Sequence, residues 1–286
     1  MNQSQAAYPR VSSISAVKSI SLVSFVCSLL CSLASSLACV ACTEGSAKSR
    51  SVGSAGAAAK ATDAPRVVPK PNPAVRGSIV VLGSSTAAGV GPKDPNNAWV
   101  SRYKATLARQ YPNVTLVNLA VGGQSTFELQ PTGYLPPPNR PAPVLGKNIT
   151  AALALQPNAI IVNLPSNDQA NNYPLAEQLA NYERIASLAR SAQVLLWVST
   201  SQPRNFKDAV QLENLTQARD AISKKFAPRT LDFWTPFAAP NGFIKATYNS
   251  GDGTHLNDAA HAILSGIVEA AHIPEKFGEL QRERGD

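Results

Sequence analysis

From Gly77 onward the chain repeats one pattern: a short apolar run, a turn, then a longer segment with helical periodicity. Strands are expected at Ser78 to Leu82, Val114 to Leu119, Ala159 to Leu164, Val194 to Ser199 and, more briefly, Thr230 to Phe233. Helices are expected near Ala98 to Gln110, Ile149 to Leu155, Leu175 to Ser191, Asp208 to Phe226 and Asp258 to Ala271. Ile273 to Asp286 reads as either a short charged helix or a loose end. Strands that alternate with helices pair in parallel, through crossovers that lay helices on both faces of the sheet. The expected fold is therefore α/β, a three-layer α/β/α sandwich around a five-stranded parallel sheet.

That architecture locates the chemistry before any motif is considered, because open parallel sheets bind ligands outside the carboxyl ends of their strands. Gly83-Ser84-Ser85 follows the first strand, Gly122-Gly123 the second and Ser166-Asn167-Asp168 the third, so three polar or glycine-rich turns share one edge. Asp252 and His255 lie in the loop before the Asp258 helix, which can reach the same edge. A serine hydroxyl is a weak nucleophile that needs a neighbouring base. An imidazole, titrating ordinarily near about 6.5, can take that proton and return it. Ser85, His255 and Asp252 are thus catalytic candidates, with Asp252 orienting the ring. The backbone N–H groups of Ser85 and Gly123 and the side-chain amide of Asn167 are candidate donors to an oxyanion.

Each feature also has a plainer reading. Gly-Ser-Ser and Gly-Gly are common turns, Asp168 suits a helix N-cap, and Asp252 with His255 suits a surface ion pair. His261 and His272 read as structural, while Thr254, Asn257 or Asp258 reads as the cap of the following helix. No metal or cofactor is expected: the three histidines include no i, i+4 pair, and phosphate-binding loops and a G-x-G-x-x-G turn are missing from the sequence. A G-x-S-x-G elbow is missing as well.

Taken together, Gly83-Ser84-Ser85, Asn118 to Gly123, Ser166-Asn167-Asp168 and Asp252-Gly253-Thr254-His255 resemble, in order and approximate spacing, the four blocks of the SGNH (GDSL-type) hydrolase family. The resemblance implies a flavodoxin-like three-layer fold and hydrolysis of esters, with acylated sugars, lipids and thioesters among the family's substrates. It implies Ser85 as nucleophile, Gly123 and Asn167 in the oxyanion hole, and Asp252 and His255 as acid and base. Two positions depart from the pattern. Ser84 stands where the family usually has Asp, and Pro165 where it usually has Gly. The first departure leaves the choice between adjacent serines resting on alignment, with Ser84 as the alternative.

The expected function is a serine esterase working through an acyl-enzyme. Substrate choice is assigned to long loops on the same edge: residues 124–148 with Tyr134 and Arg140, the Asn171 to Pro174 turn with Tyr173, and Gln202 to Asn205 with Arg204. These four substrate-binding candidates favour a short acyl group on a hydroxyl-rich partner such as a glycan. The alternatives are a lipase or thioesterase of the same mechanism, or an inactive extracellular glycan-binding module.

The charge of +8 is uneven: residues 1–76 hold eight Lys/Arg against two Asp/Glu, and residues 77–286 eighteen against sixteen. The domain is therefore nearly balanced, and no nucleic-acid partner is expected. Arg10 and Lys18 precede an uncharged apolar run from Ile20 to Ala41, the order of a secretory signal. Small residues before Cys39 and before Cys42 make each a candidate lipidation site. The expected organisation is a signal or lipoprotein signal at 1–42, an Ala/Ser/Pro linker at 43–76, the hydrolase domain at 77–273 and a tail at 274–286. The expected location is secreted or on the cell envelope, with membrane contact only through the N-terminal segment or a lipid. All four cysteines lie in that segment, so no disulfide or thiol chemistry is expected in the domain.

Overall fold

In the computed structural model the described residues are 70–284. The segment at 1–42, with Cys39 and Cys42, and most of the linker lie outside them. Five parallel strands form one sheet in the order β2-β1-β3-β4-β5: β1 (Arg76–Gly83), β2 (Asn113–Asn118), β3 (Ala159–Asn163), β4 (Leu195–Ser199) and β5 (Thr230–Leu231). Side chains alternate across a strand, and β1 uses both faces. Ile79 and Val81 join one core with Trp99, Tyr103, Leu264 and Phe277, while Val80 and Leu82 join the other with Ile149, Tyr182, Ile185 and Ile222. The first face is covered by α2 (Trp99–Gln110), α7 (Asp258–Ala270) and α8 (Ile273–Arg284). The second is covered by α3 (Ile149–Ala154), α5 (Leu175–Ser191) and α6 (Ala209–Phe226). This is the three-layer sandwich that the alternation predicts.

Element ends follow local chemistry. Asn148, Asp208 and Asn257 each accept a backbone N–H of the first turn of α3, α6 and α7, at 3.0, 2.8 and 3.2 Å. The expected Thr230 to Phe233 strand is shorter: it ends at Leu231, after which the Thr200 hydroxyl receives the Phe233 N–H at 2.9 Å. Of the two readings of the C-terminal segment, the helix is the one found. A lone twelve-residue helix is marginal in water, and α8 is held by Ile273 and Phe277, both buried. Burying each contributes about 1.5–3 kcal/mol. Among the described residues no helix is long and apolar enough to cross a membrane.

The strand order matters for function. β2 and β3 flank β1 on opposite sides, so the chain reverses its direction of growth between β1 and β3, where doubly wound sheets open a crevice. Two very short helices start at that crevice, α1 (Ser85–Ala88) after β1 and α4 (Asn167–Ala170) after β3. The periodicity of the sequence did not reveal them, since four residues make only one turn.

Candidate active site

The loop before α7 reaches the crevice, and three side chains meet in line. His255 Nε2 lies 3.0 Å from Ser85 Oγ, and its Nδ1 lies 2.6 Å from Asp252 Oδ2. Asp252 shapes its own loop, because its other oxygen accepts the backbone N–H of Thr254 and of His255, each at 2.8 Å, and the Ser250 hydroxyl at 3.1 Å. Burial pushes the Asp252 carboxyl up, but the N–H of His255, its ring and the N–H of Thr254 outweigh that and hold it well below the usual carboxylate range. An ionised carboxylate can only accept, so the Nδ1 facing it carries the proton and the Nε2 lone pair faces Ser85. The pair is therefore more than a surface ion pair, since its ring is directed at a hydroxyl 170 positions away.

The adjacent serines play different parts. Ser84 is 0% exposed, and its Oγ accepts a hydrogen bond from Asn167 Nδ2 at 2.6 Å. The hydroxyl within reach of the imidazole is that of Ser85. Asn167 Nδ2 also donates to the Gln124 carbonyl at 2.8 Å, so its amide is oriented by two partners. Gly122 packs beside Ser85, 3.9 Å separating a hypothetical Cβ there from the serine Cβ. Gly123 has φ +87°, which side-chain-bearing residues rarely adopt. Among the described residues neither the Ser85 nor the Gly123 N–H donates to a protein acceptor.

Asp168, which suits a helix cap by sequence, has another role. The cap position of α4 is Ser166, while the buried Asp168 carboxylate accepts the Thr126 hydroxyl at 2.6 Å and the Thr126 N–H at 3.1 Å. It ties the loop bearing Gly123 to the helix bearing Asn167, a partnership that spacing alone could not show. Burial raises its pKa to about 6, against the opposing pull of the Thr126 hydrogen bonds. A carboxyl raised above its unfolded value of about 3.9 binds protons more tightly when folded. Its contribution is then fully present below that value and is lost as pH rises through 6, on the order of 2–3 kcal/mol in all. Asp168→Asn does not titrate. Thermal melts from pH 4.5 to 7.5 are therefore expected to show the wild-type advantage over this variant shrinking as pH rises; a constant gap would refute the assignment.

The four residues expected to bind substrate differ in their surroundings. Arg140 pairs with Glu177 at 2.7 Å and lies 4.5 Å over the Tyr173 ring, and Tyr134 lies under Arg184 at 4.5 Å. These three are engaged with the α5 side of the molecule, and among the described residues none hydrogen-bonds to Ser85, Asp252 or His255. Arg204 stands apart: stacked 4.8 Å over Phe206, it donates to the Ser166 hydroxyl at 3.3 Å, next to Asn167. His261 is structural, its Nδ1 accepting the Trp99 N–H at 3.0 Å and its pKa lowered by burial to about 4.

Comparison with known proteins adds a decisive observation. A sequence model described as the GDSL-like lipase/acylhydrolase family matches residues 81–263, well over half of the chain. The chain belongs to this family. Its members hydrolyse esters, and the chain is accordingly an ester-hydrolysing serine hydrolase. Solved GDSL-like folds superpose on it. A GDSL-like lipase from Bacteroides thetaiotaomicron aligns with TM-score 0.52 at 16% identity over 73% of this chain and 92% of its own. A lipase/acylhydrolase from Enterococcus faecalis gives 0.51 at 16% over 71% and 96%. A lipase from a goat rumen metagenome gives 0.52 at 16% over 68% and 96%. At such identities these likenesses concern the fold. No curated protein sequence matches the chain significantly.

Proposed function

We propose that the protein is a serine esterase that cleaves short-acyl carboxylic esters through an acyl-enzyme on Ser85. The observation that carries this reading is the unbroken line Ser85 Oγ, His255 Nε2 and Nδ1, Asp252 Oδ2, at 3.0 and 2.6 Å. As Ser85 Oγ attacks the acyl carbon, its proton passes to His255 Nε2, and Asp252 stabilises the resulting imidazolium. The carbonyl oxygen turns negative against the N–H groups of Ser85 and Gly123 and the Asn167 amide, which releases the Gln124 carbonyl or Ser84 to receive it. The imidazolium then protonates the departing alkoxide, and a water deprotonated by the same ring hydrolyses the acyl-enzyme.

A glycan-borne acyl group suits the polar edge, with Arg204 as the neighbouring side chain that keeps unused donors for a hydroxyl or carboxylate. In the same reading the N-terminal segment carries the domain out of the cell, where such substrates occur. A fluorophosphonate reagent followed by peptide mass spectrometry is expected to label Ser85, and nitrophenyl esters are expected to react more slowly from acetyl to octanoyl. Label on Ser84, or rates that climb with chain length, would overturn the nucleophile or the short-acyl assignment respectively.

A further inference from the structure

The Asp252–His255 loop lies at the surface: the Asp252 side chain is 50% exposed and the His255 side chain 19%. Burial alone does not hold such a loop at a hydrogen-bond distance from a serine carried by a different element. Something beneath the pair must set that distance.

We propose that Gln202, which no sequence block singles out, is a positioning residue that sets the Ser85–His255 separation. It lies just beyond β4 and is 1% exposed. Its Oε1 accepts a hydrogen bond from Thr86 Oγ1 at 2.9 Å, and its Nε2 donates to the Thr254 carbonyl at 3.0 Å. Thr86 immediately follows Ser85, and Thr254 immediately precedes His255. One buried amide therefore spans the neighbours of both ends of the 3.0 Å Ser85–His255 contact. The bridge is directional. Thr86 presents a proton and Thr254 a lone pair, so the bridging group must accept at one end and donate at the other. Glutamine does both. Glutamate at neutral pH would face the Thr254 carbonyl with an unprotonated oxygen, and leucine would offer neither group.

Other contacts join the same two segments and keep the fold intact without this amide. Gly91 packs so closely that a Cβ there would sit 2.1 Å from the Leu256 carbonyl oxygen. Asp258 accepts the Lys93 N–H at 3.0 Å and the Asn97 amide at 2.8 Å. Asn205, on the same loop as Gln202, donates its N–H to the Gly253 carbonyl at 2.8 Å and fastens that loop to the His255 segment. These contacts dock the segments, and Gln202 tunes their spacing. Small displacements of a reacting group cost up to about 100-fold in rate, so the expected signature is kinetic.

The inference rests on Ser85 and His255 acting as proposed above. Gln202→Leu and Thr86→Val are each expected to lower kcat on nitrophenyl acetate about 10- to 100-fold, with KM unchanged within about twofold. Fluorophosphonate labelling is expected to slow in parallel. Because both substitutions break one bridge, the double variant is expected to lose no more than the worse single one. Gln202→Glu is not expected to restore the rate. Full kcat in either single variant, losses that multiply in the double variant, or a loss carried by KM would overturn the role. Should Gln202→Leu fail to fold, Thr86→Val alone decides the outcome. Ser85→Ala in the same assay separates the two failures: an inactive Ser85→Ala beside a fully active Gln202→Leu rejects only the positioning role, whereas an active Ser85→Ala rejects the catalytic reading beneath it.

Discussion

Ser85→Ala is expected to lower kcat on short nitrophenyl esters by about 10⁴- to 10⁶-fold, leaving the melting temperature within a few degrees of wild type. The hydroxyl lost is the one facing the imidazole at 3.0 Å, and the remaining oxyanion donors leave only a residual rate. Ser84→Ala provides the contrast. Its hydroxyl is buried against the Asn167 amide, so the expected loss is that of a misaligned oxyanion donor, at most about 10² to 10³. Steady-state kinetics on the pair with active-site titration checks both. Equal rates for Ser85→Ala and wild type, or the larger loss falling on Ser84, would reject Ser85 as nucleophile.

Asp252→Asn is expected to cost about 10⁴ in kcat with little change in KM. The argument is geometric. Asp252 Oδ1 accepts two backbone N–H groups, from Thr254 and His255. In the variant those donors select the amide oxygen for that position, which turns the NH₂ toward His255 Nδ1. Two donors cannot face each other, so Nδ1 must lose its proton and Nε2 gains one. The ring then presents N–H to Ser85 and cannot accept its proton. Since hydrogen bonds hold the Asp252 carboxyl well below its ordinary range, acidification toward pH 5 is expected to leave it ionised and still facing the ring. A loss below about tenfold in Asp252→Asn would remove Asp252 from the proton path.

Much of this was legible in the residues. Runs such as Ile79 to Leu82 and Ala159 to Val162 are apolar on both faces and buried on both faces, so their strand character is a local property. Leu175–Ser191 carries its helix in its own periodicity and has the bounds that periodicity predicts. Less was visible where partners lie far apart along the chain. Asp168 looked like a cap because Asp at a helix start usually is one, and its bond to Thr126 spans 42 positions. Arg140 and Tyr173 read as substrate contacts from their loops alone, and the cation–π stacking and Glu177 ion pair that engage them with each other and with α5 are partnerships the sequence does not display.

The amino-acid pattern alone determined that parallel strands alternate with helices, that polar turns follow the first three strands, and that a serine, an amide and an Asp-x-x-His pair fall among the loops. Those are properties of neighbouring residues and of side-chain period. Tertiary structure decided which serine meets His255, that Ser84 instead grips Asn167, and that Gln202 bridges the two catalytic segments. The Ser84–Asn167 contact depends on β3 lying beside β1 in the sheet, and the other two on the loops after β4 and before α7 reaching the same edge. Such contacts link positions as far as 170 residues apart, and a hydrogen bond a few tenths of an ångström long or short is a matter of packing that no local pattern encodes.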